Sequence, residues 1–257
     1  MSITVVVFSS GPTLRASVRR FVCRLEHHPD IQLLAVYCET KESGLGGIVR
    51  DAWRRRGILA GPVLALTAAG AAVDWLTRPK QSSRIRTCIR SVQERIHYVP
   101  DIHAEGVVES MRAQSPDVGL VYGSPILRPE LFEIPRLGTL GIHHGRMPEY
   151  RGKKTTFWAL YNGDPRAGVT IQKINAGLDT GTIVAEGHVD ARGRSLRAVW
   201  NDLEQRGLDL YVTATLGYVR GELVPSAWDG PKGKLYRDPG ARDILRFIWR
   251  RYRPGSK

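Results

Sequence analysis

Apolar runs alternate with turns in the first forty residues, in a pattern typical of buried strands joined to helices. Residues 3–8 (ITVVVF) are a continuous, β-branched run that ends in the turn sequence SSGP. Such a run is typical of a strand buried on both faces of a parallel sheet. Residues 13–27 carry apolar side chains at helical spacing, and residues 31–38 (IQLLAVYC) form the next apolar run. The pattern predicts a strand, a helix and a second strand.

The alternation of strands and helices continues after residue 100. HAEGVVESMRAQ is predicted to be helical, and strands are predicted at VGLVYG and at LGTLGIHH. The later predictions are a helix at KTTFWALYNG, strands at AGVTIQKI and TIVAEGHVDA, and a final amphipathic helix over residues 194–217. This order predicts an α/β fold with a doubly wound, mostly parallel, Rossmann-like sheet. Ligands of such sheets bind beyond the carboxyl ends of the strands.

The net charge of +13 is concentrated in two segments of the 257-residue chain. Residues 50–90 hold nine Lys and Arg against two acidic residues, and residues 228–257 hold nine against three. The remainder is balanced, so the basic character belongs to these two segments and not to the predicted sheet. The hydrophobic content of 42% is ordinary for a globular protein.

The cysteines and the N-terminus predict a cytoplasmic protein. Cys23, Cys38 and Cys88 are isolated, odd in number and free of CxxC spacing. We therefore expect no disulfide framework and no cysteine-based metal site. The first residues read as a strand and lack a basic leader. A peripheral position at a membrane is the alternative location.

Two histidines and one aspartate form the candidate catalytic group. His143 and His144 end a predicted strand, and Asp179 lies in the glycine-flanked loop NAGLDTG. A histidine held by an aspartate can stabilise or exchange a proton with an atom that gains negative charge. The alternative is that the histidines cap the backbone and that DTG only turns the chain. No nucleophile motif accompanies the group.

The surrounding motifs resemble the folate-dependent formyltransferases, which use 10-formyltetrahydrofolate. The matching motifs are His143, Met147-Pro148, Tyr150-Arg151-Gly152, Trp158-Ala159, Gly163, Gly168-Val169-Thr170-Ile171 and Asp179-Thr180-Gly181, together with VGLVYGSPILRPELF upstream. The resemblance covers about residues 1–40 and 100–217. It implies a formyltransferase-type domain over residues 1–220, a helical insert at about 43–95, and a basic C-terminal extension over 221–257.

The resemblance also implies a role for each residue of the catalytic group. In the family an Asn and a His donate hydrogen bonds to the oxyanion formed when an amine attacks the formyl carbon, and an Asp supports the His. His143 and Asp179 take the last two roles here, but the asparagine position is Gly141. We consider three interpretations: His144 or the more distant Asn175 replaces the donor, the glycine makes room for the acceptor, or the site has lost activity.

The remaining site predictions are a folate pocket and an acceptor site. The resemblance implies a folate pocket formed by the turn Tyr122, Gly123, Ser124, Pro125, Ile126 and Leu127 and by Asn175, Gly177 and Leu178. The acceptor site is predicted from Ser10, Gly11, Gly141 and Arg151. A plain strand-to-helix turn is the alternative for Ser10 and Gly11, and a solvated charge is the alternative for Arg151. No metal is predicted, because no cluster has metal-ligand spacing.

The two basic segments allow several partners. Residues 57–73 are uncharged and mostly apolar, which fits a helix buried on the core or an interfacial hairpin but is short for a bilayer span. Residues 242–253 predict a basic amphipathic helix. Residues 50–90 and 242–253 are candidates for contact with an anionic membrane surface, and a homodimer is a further possibility for the same segments. For the C-terminal helix, packing on the core is the simpler interpretation. DNA is not expected. A tRNA acceptor ranks below a small-molecule amine, because only about forty residues follow the last core helix.

The sequence therefore predicts an enzyme that transfers a formyl group from 10-formyltetrahydrofolate to an amine of a small molecule, such as an amino sugar or a secondary-metabolite amine. Two alternatives remain open: a 10-formyltetrahydrofolate hydrolase, and a non-catalytic folate-binding or membrane-associated member of the family.

Overall fold

A computed structural model of the chain describes residues 2–40, 82–228 and 233–252. The chain divides into two compact units. One comprises Met1–Lys41 and Ser83–Tyr236, and the other comprises Glu42–Ser82 and Arg237–Lys257.

The first unit is built on a seven-stranded sheet with strand order β3-β2-β1-β4-β5-β7-β8. The five strands from β3 to β5 are parallel, and β7 and β8 continue the sheet antiparallel to their neighbours. A separate two-stranded sheet joins β6 and β9 in parallel. The strands are β1 Ile3–Ser10, β2 Ile31–Glu39, β3 Ile96–Val99, β4 Val118–Val121, β5 Thr139–His143, β6 Tyr150–Gly152, β7 Arg166–Lys173, β8 Thr182–Asp190 and β9 Lys234–Tyr236. The prediction of a mostly parallel α/β sheet is confirmed.

Helices cover both faces of this sheet. The helices of the first unit are α1 Ala16–Glu26, α2 Ser83–Ser91, α3 Glu105–Gln114, α4 Pro129–Phe132, α5 Thr155–Tyr161 and α6 Leu196–Val219. One apolar core joins the sheet to α1 and α6, and a second joins the opposite face to α3 and α4. Local signals set helix ends: Pro129 begins α4, and the Ser195 hydroxyl accepts a hydrogen bond from Ala198 N at the start of α6.

The parallel strands place three chain segments at one edge of the sheet. β1 ends at Ser10, β4 at Val121 and β5 at His143. Because these strands run in the same direction, the loops that follow them meet at their carboxyl ends. The Ser10 hydroxyl donates to the Gly123 carbonyl over 2.7 Å, which ties two of these loops together.

The boundaries of the insert and of the C-terminal extension differ from the predicted ones. Residues 83–95, which the prediction placed in the insert, form α2 and a 3-10 turn and lead directly into the edge strand β3 of the sheet. Residues 234–236, predicted to belong to the extension, form β9 beside β6. Strands β3 and β9 have only four and three residues, too few to give a clear strand signal of their own. The apolar stretch 57–73 lies outside the described residues.

The expectation of unpaired cysteines is wrong for two of them. A disulfide joins Cys23 of α1 to Cys88 of α2, with the Cα atoms 6.0 Å apart. The pairing was hidden by a sequence separation of 65 residues and by the position of Cys88 inside the predicted insert. This disulfide removes the cysteine-based argument for a reducing compartment. Cys38 is free and buried, and burial raises the pKa of its thiol.

In the second unit the structure describes α7, Ala241–Tyr252, as the predicted helix. The Asp243 carboxylate accepts a hydrogen bond from Gly240 N over 2.8 Å at its start. None of the helices in the described ranges is long and apolar enough to cross a bilayer.

Candidate active site

His143 is the last residue of β5, and its ring is buried, with a residue exposure of 8%. Its Nε2 lies 2.7 Å from the Tyr150 carbonyl oxygen. Gly145 permits this contact, since a Cβ built there would lie 2.5 Å from the same oxygen and 2.9 Å from Cδ2 of the ring. The absence of a side chain at position 145 is therefore a condition for the observed position of the histidine.

Asp179 reaches His143 from a loop that begins at the far end of β7. Lys173, where β7 ends, pairs with Leu140, three residues before His143, so residues 174–181 fold back over one face of the sheet. Asp179 Oδ1 lies 3.5 Å from His143 Nδ1. The backbone of Asp179 has φ = +46°, a left-handed conformation that aspartate tolerates better than most residues. The structure thus brings together the two residues predicted to form the catalytic pair.

Three groups hold the Asp179 carboxylate and its loop. Gly152 N donates to Oδ2 over 2.7 Å, and Gln172 Nε2 donates to Oδ1 over 3.3 Å. The buried Arg151 donates from Nε to the Asp179 carbonyl (2.9 Å) and from Nη2 to the Leu178 carbonyl (2.7 Å). Arg151 was predicted to bind the acceptor, but its guanidinium is used to fasten this loop. Its fork of donors fits two successive carbonyls.

The hydrogen bonds assign the protons of the His143 ring. A carbonyl oxygen can only accept, so Nε2 must carry a proton and donate to Tyr150. Nδ1 is then the nitrogen that faces Asp179. Its distance of 3.5 Å from the carboxylate is longer than a direct hydrogen bond. Nδ1 also carries an N–H only in the imidazolium form of the ring, which has protons on both nitrogens, and in that form this N–H can be shared between Asp179 and a substrate atom.

Gly141 does not leave an open space in the sheet. A Cβ at this position would lie 3.0 Å from Cγ2 of Ile174 and 3.8 Å from Cβ of Val121. An apolar side chain thus borders the place where an asparagine side chain would begin. Asn175, considered as a replacement donor, uses its amide inside the loop: Nδ2 donates to the Thr180 carbonyl, and Oδ1 accepts from Gly177 N.

His144 lies on the other face of the sheet from His143. Its ring is 4.8 Å from that of Trp200 on α6 and 6.3 Å from that of Tyr122. Burial and, secondly, the charge of His143 lower the pKa of His144 to about 4. Its Nε2 is buried without a hydrogen-bond partner. A neutral ring on the opposite face does not replace a donor at position 141, so the structure argues against that interpretation.

The predicted folate turn divides into buried and exposed residues. The Tyr122 ring packs on Phe21 of α1, and burial raises the pKa of its hydroxyl, so Tyr122 is a core residue and not part of an open pocket. Leu127 is also buried in the core. Gly123, Ser124, Pro125 and Ile126 remain accessible, and Leu178 of the Asp179 loop is exposed too. Ile126 and Leu178 are thus exposed apolar side chains, and folate binding by these residues stays a prediction.

The predicted acceptor residues Ser10 and Gly11 follow β1 at the same edge. Gly11 has φ = +141°, and its N–H donates to the Glu39 carbonyl over 2.9 Å. With the Ser10 hydroxyl bonded to Gly123, both residues have a structural role in joining loops. No described contact assigns them to an acceptor, and that role stays a prediction.

Two residues that support the site, Gln172 and Tyr236, were not predicted from the sequence. Tyr236 of β9 stacks on Tyr150 at 5.3 Å between ring centroids, and its carbonyl accepts from Lys153 N over 2.9 Å. Asn162 Nδ2 donates to the Tyr236 hydroxyl over 3.0 Å. Gly152 of β6 donates its N–H to Asp179, and β9 pairs with β6, so β9 supports the site through β6. A pairing across more than eighty residues leaves no local signal.

Among the described residues, Glu39, Asp101 and His103 are of metal-ligand type and lie together. His103 Nε2 accepts a hydrogen bond from Arg128 N over 3.0 Å. Its proton is then on Nδ1, which faces Asp101 Oδ1 at 3.5 Å. The ring therefore offers no free lone pair to a metal.

Comparison with known proteins identifies the family. Residues 78–215, more than half of the chain, match the model described as formyl transferase. The chain belongs to the formyl transferase family, as its motifs predicted. The methionyl-tRNA formyltransferase of Chloroflexus aggregans is 36% identical over 172 residues, which cover 62% of this chain and 55% of that protein. That of Roseiflexus sp. is 38% identical over 146 residues, 53% of this chain and 44% of that protein. The chain thus spans about half the length of these curated relatives.

Solved structures confirm the fold over most of the chain. A sugar N-formyltransferase from Shewanella sp. FDAARGOS_354 aligns with a TM-score of 0.60 and 13% identity, covering 96% of this chain and 87% of that one. Glycinamide ribonucleotide transformylase 1 from Symbiobacterium toebii aligns with a TM-score of 0.58 and 16% identity, covering 92% and 95%. At these identities the likeness shows a shared fold alone.

Proposed function

We propose that this protein transfers the formyl group of 10-formyltetrahydrofolate to a primary or hydroxylated amine of a small molecule. The observation that carries the proposal is the His143–Asp179 pair at the carboxyl end of β5, in which His143 is buried and Asp179 belongs to a loop held by Arg151 and Gly152. Family membership supports formyl transfer as the reaction. Leu178 and the turn residues 123–126, of which Gly123 and Ile126 are exposed, are the residues that would hold the folate.

The pair provides the two functions that formyl transfer requires. Attack of the amine nitrogen on the formyl carbon forms a C–N bond and places negative charge on the formyl oxygen. In its imidazolium form, with protons on both ring nitrogens, His143 can donate from Nδ1 to that oxygen while Nε2 donates to the Tyr150 carbonyl. Stabilising such an oxyanion contributes strongly to the rate of acyl transfer.

Asp179 accounts for the protons. The attacking amine must lose a proton, and the folate nitrogen must gain one when its bond to the formyl carbon breaks. Asp179 Oδ1, 3.5 Å from His143 Nδ1, can accept the first proton directly or through water and return it to the leaving nitrogen. The sum of these steps is neutral, and no redox or metal chemistry enters them.

Gly141 gives no support to the hydrolase alternative. That alternative requires water to enter through space left by the glycine, but Ile174 and Val121 border this position. Loss of activity is the third interpretation of Gly141, and turnover measurements decide it.

The test combines the full-length protein with 10-formyltetrahydrofolate and a panel of amines that includes nucleotide-linked amino sugars, N-hydroxyornithine-type compounds and methionyl-tRNA, the acceptor named for the curated relatives. We expect a formylated small amine, detected by mass spectrometry. His143→Ala and Asp179→Ala should each lower turnover at least about 100-fold. Formate release without acceptor would establish the hydrolase, and formylation of methionyl-tRNA alone would refute the small-molecule acceptor. Folate binding without turnover would establish the non-catalytic member.

A further inference from the structure

Gln172 is buried in the site, with an exposure of 6%, and the steps above assign it no role. It lies on β7, directly opposite Gly141 in the antiparallel pairing of β5 with β7. Residues directly opposite in such a pair project their side chains from the same face of the sheet. The carboxamide of Gln172 therefore arises from the same face as the missing side chain at position 141, one strand away.

Both ends of this carboxamide bind the Asp179 loop. Nε2 donates to Asp179 Oδ1 over 3.3 Å, and Oε1 accepts from Gly181 N over 3.1 Å. The carboxylate oxygen that receives the N–H is the same one that lies 3.5 Å from His143 Nδ1. Gln172 thus fixes the oxygen that faces the histidine and also satisfies a buried backbone N–H.

We propose that Gln172 is a positioning residue that supplies, from the neighbouring strand, a carboxamide in place of the asparagine that Gly141 replaces. It holds Asp179 at His143 through a bond that neither a hydrocarbon nor a carboxylate side chain can form. The inference rests on the proposed function for its kinetic test, but its structural part can be measured without turnover.

The variants separate the carboxamide from the bulk of the side chain. Gln172→Met keeps an unbranched chain of similar length without the amide, and Gln172→Glu keeps the shape but replaces the donor with a second carboxylate beside Asp179. Lys173→Met is the matched control, because it changes the adjacent residue, whose side chain leaves the other face of the strand. Gly141→Asn returns a carboxamide to β5. It requires Ile174 to yield by a few tenths of an ångström, because its Cβ would lie 3.0 Å from Cγ2.

The kinetic test measures kcat and KM for the amine that the panel identifies. Gln172→Met and Gln172→Glu should lower kcat by about 10- to 100-fold, as expected for a misplaced catalytic group, and change KM less than about threefold. Lys173→Met should leave both constants unchanged. Gly141→Asn should recover at least about tenfold of the loss in Gln172→Met. A residue that only filled space would not be rescued from position 141.

The second test measures amide hydrogen exchange of residues 174–181 in the same full-length variants. We expect faster exchange in Gln172→Met and Gln172→Glu and unchanged exchange in Lys173→Met. Unchanged loop exchange in the Gln172 variants, or kcat within threefold of the wild type, overturns the inference. If no amine is formylated by the wild type, the proposed function fails, while the exchange experiment still decides whether Gln172 holds the loop.

A separate observation concerns the surface of α7. Leu245, Ile248 and Trp249 lie on one side of this helix and are 57%, 45% and 61% exposed. Arg242, Arg246 and Arg250 follow each other at four-residue spacing beside them, and all three are exposed. Residues 241–252 contain four arginines and one aspartate, a net charge of +3.

We propose that α7 docks on an anionic lipid bilayer. Arginines at the border of an exposed apolar strip can bind lipid headgroups while the strip enters the interface between headgroups and acyl chains. A soluble polyanion such as RNA would be bound by the arginines but would leave Leu245 and Ile248 without a function. The lipid surface is the partner that matches both halves of the helix.

Vesicle sedimentation with the full-length protein tests this docking. We expect binding to vesicles of phosphatidylcholine and phosphatidylglycerol, and at least tenfold weaker binding to phosphatidylcholine alone. Leu245→Ser/Ile248→Ser and Arg242→Ser/Arg246→Ser should each weaken binding about tenfold, and the control Arg112→Ser should not. The proposal is refuted if the protein does not bind vesicles or binds neutral vesicles equally well. It is also refuted if binding is unchanged in Leu245→Ser/Ile248→Ser and is competed away by tRNA.

Discussion

Replacement of Gly145 by alanine tests whether the position of the His143 ring is required for activity. The added methyl group would lie 2.5 Å from the Tyr150 carbonyl oxygen and 2.9 Å from Cδ2 of His143. Ordinary van der Waals contacts begin near 3.4 Å. The ring and the Tyr150 carbonyl must therefore move away from the added methyl group by up to roughly 1 Å. A displacement of this size at a catalytic group can lower the rate about 100-fold.

The assay compares Gly145→Ala with Gly106→Ala. Gly106 lies in α3, and a Cβ there meets nothing within 4 Å, so alanine should leave turnover unchanged and stabilise the helix by up to about 1 kcal/mol. Circular dichroism and thermal unfolding establish that both variants fold. If folded Gly145→Ala retains turnover within about threefold of the wild type, the Nε2–Tyr150 contact does not position the catalytic histidine.

Three further predictions follow from other contacts. Burial, with a smaller effect of the charge of His143, lowers the pKa of His144 from 6.5 to about 4, so His144 is protonated in the unfolded chain before it is protonated in the folded one. The free energy of unfolding should therefore be unaffected by His144 above pH 6.5 and should fall by about 3 kcal/mol as the pH drops towards 4. Urea unfolding of His144→Phe should lack this loss, and a wild-type stability that is flat over this range would contradict the burial argument. Tyr236→Ala should lower kcat about tenfold by loosening β6, whereas Leu235→Ala, on the opposite face of β9, should not; equal effects would mean that the stacking on Tyr150 is irrelevant. Arg151→Lys should speed hydrogen exchange in residues 174–181, since an ammonium group lacks the fork that binds two carbonyls, and unchanged exchange would show that the loop is held otherwise.

The sequence predicted those parts of the site that carry local signals. Strand β5 ends at His143 because an apolar run meets a turn, and the DTG turn brings Asp179 within 3.5 Å of that histidine. Their proximity was predicted from motifs and is observed in the structure, while their chemical roles stay predictions. The sheet was predictable for the same reason, since its central strands are short buried apolar runs.

The alternation of side chains along a strand is sufficient by itself to correct one prediction. His143 and His144 are adjacent, so their rings leave opposite faces, and only one of them can accompany position 141. The observed rings obey this rule: one faces Asp179, and the other faces Trp200. Considering the two histidines as interchangeable donors neglected the geometry of the strand that carries them.

Strand register and distant pairing were beyond a single sequence. Gln172 becomes a neighbour of Gly141 only through the register of β5 with β7. On its other side, the pairing of β7 with β8 has an irregularity between Ile171 and Gln172. A shift of one residue would turn its carboxamide to the other face. Tyr236 likewise reaches the site only through a three-residue strand.

The glycine at position 141 acquires a specific meaning from these contacts. If it were a simple loss, the surrounding polar groups would be left unsatisfied, yet the Asp179 carboxylate has donors from Gly152 and Gln172. Apolar atoms of Ile174 border the vacant position, and a carboxamide stands on the next strand. These contacts describe a site whose aspartate is held although β5 carries no carboxamide at position 141. The decisive measurement is therefore the coupling between positions 141 and 172, because a site that had merely decayed would show none.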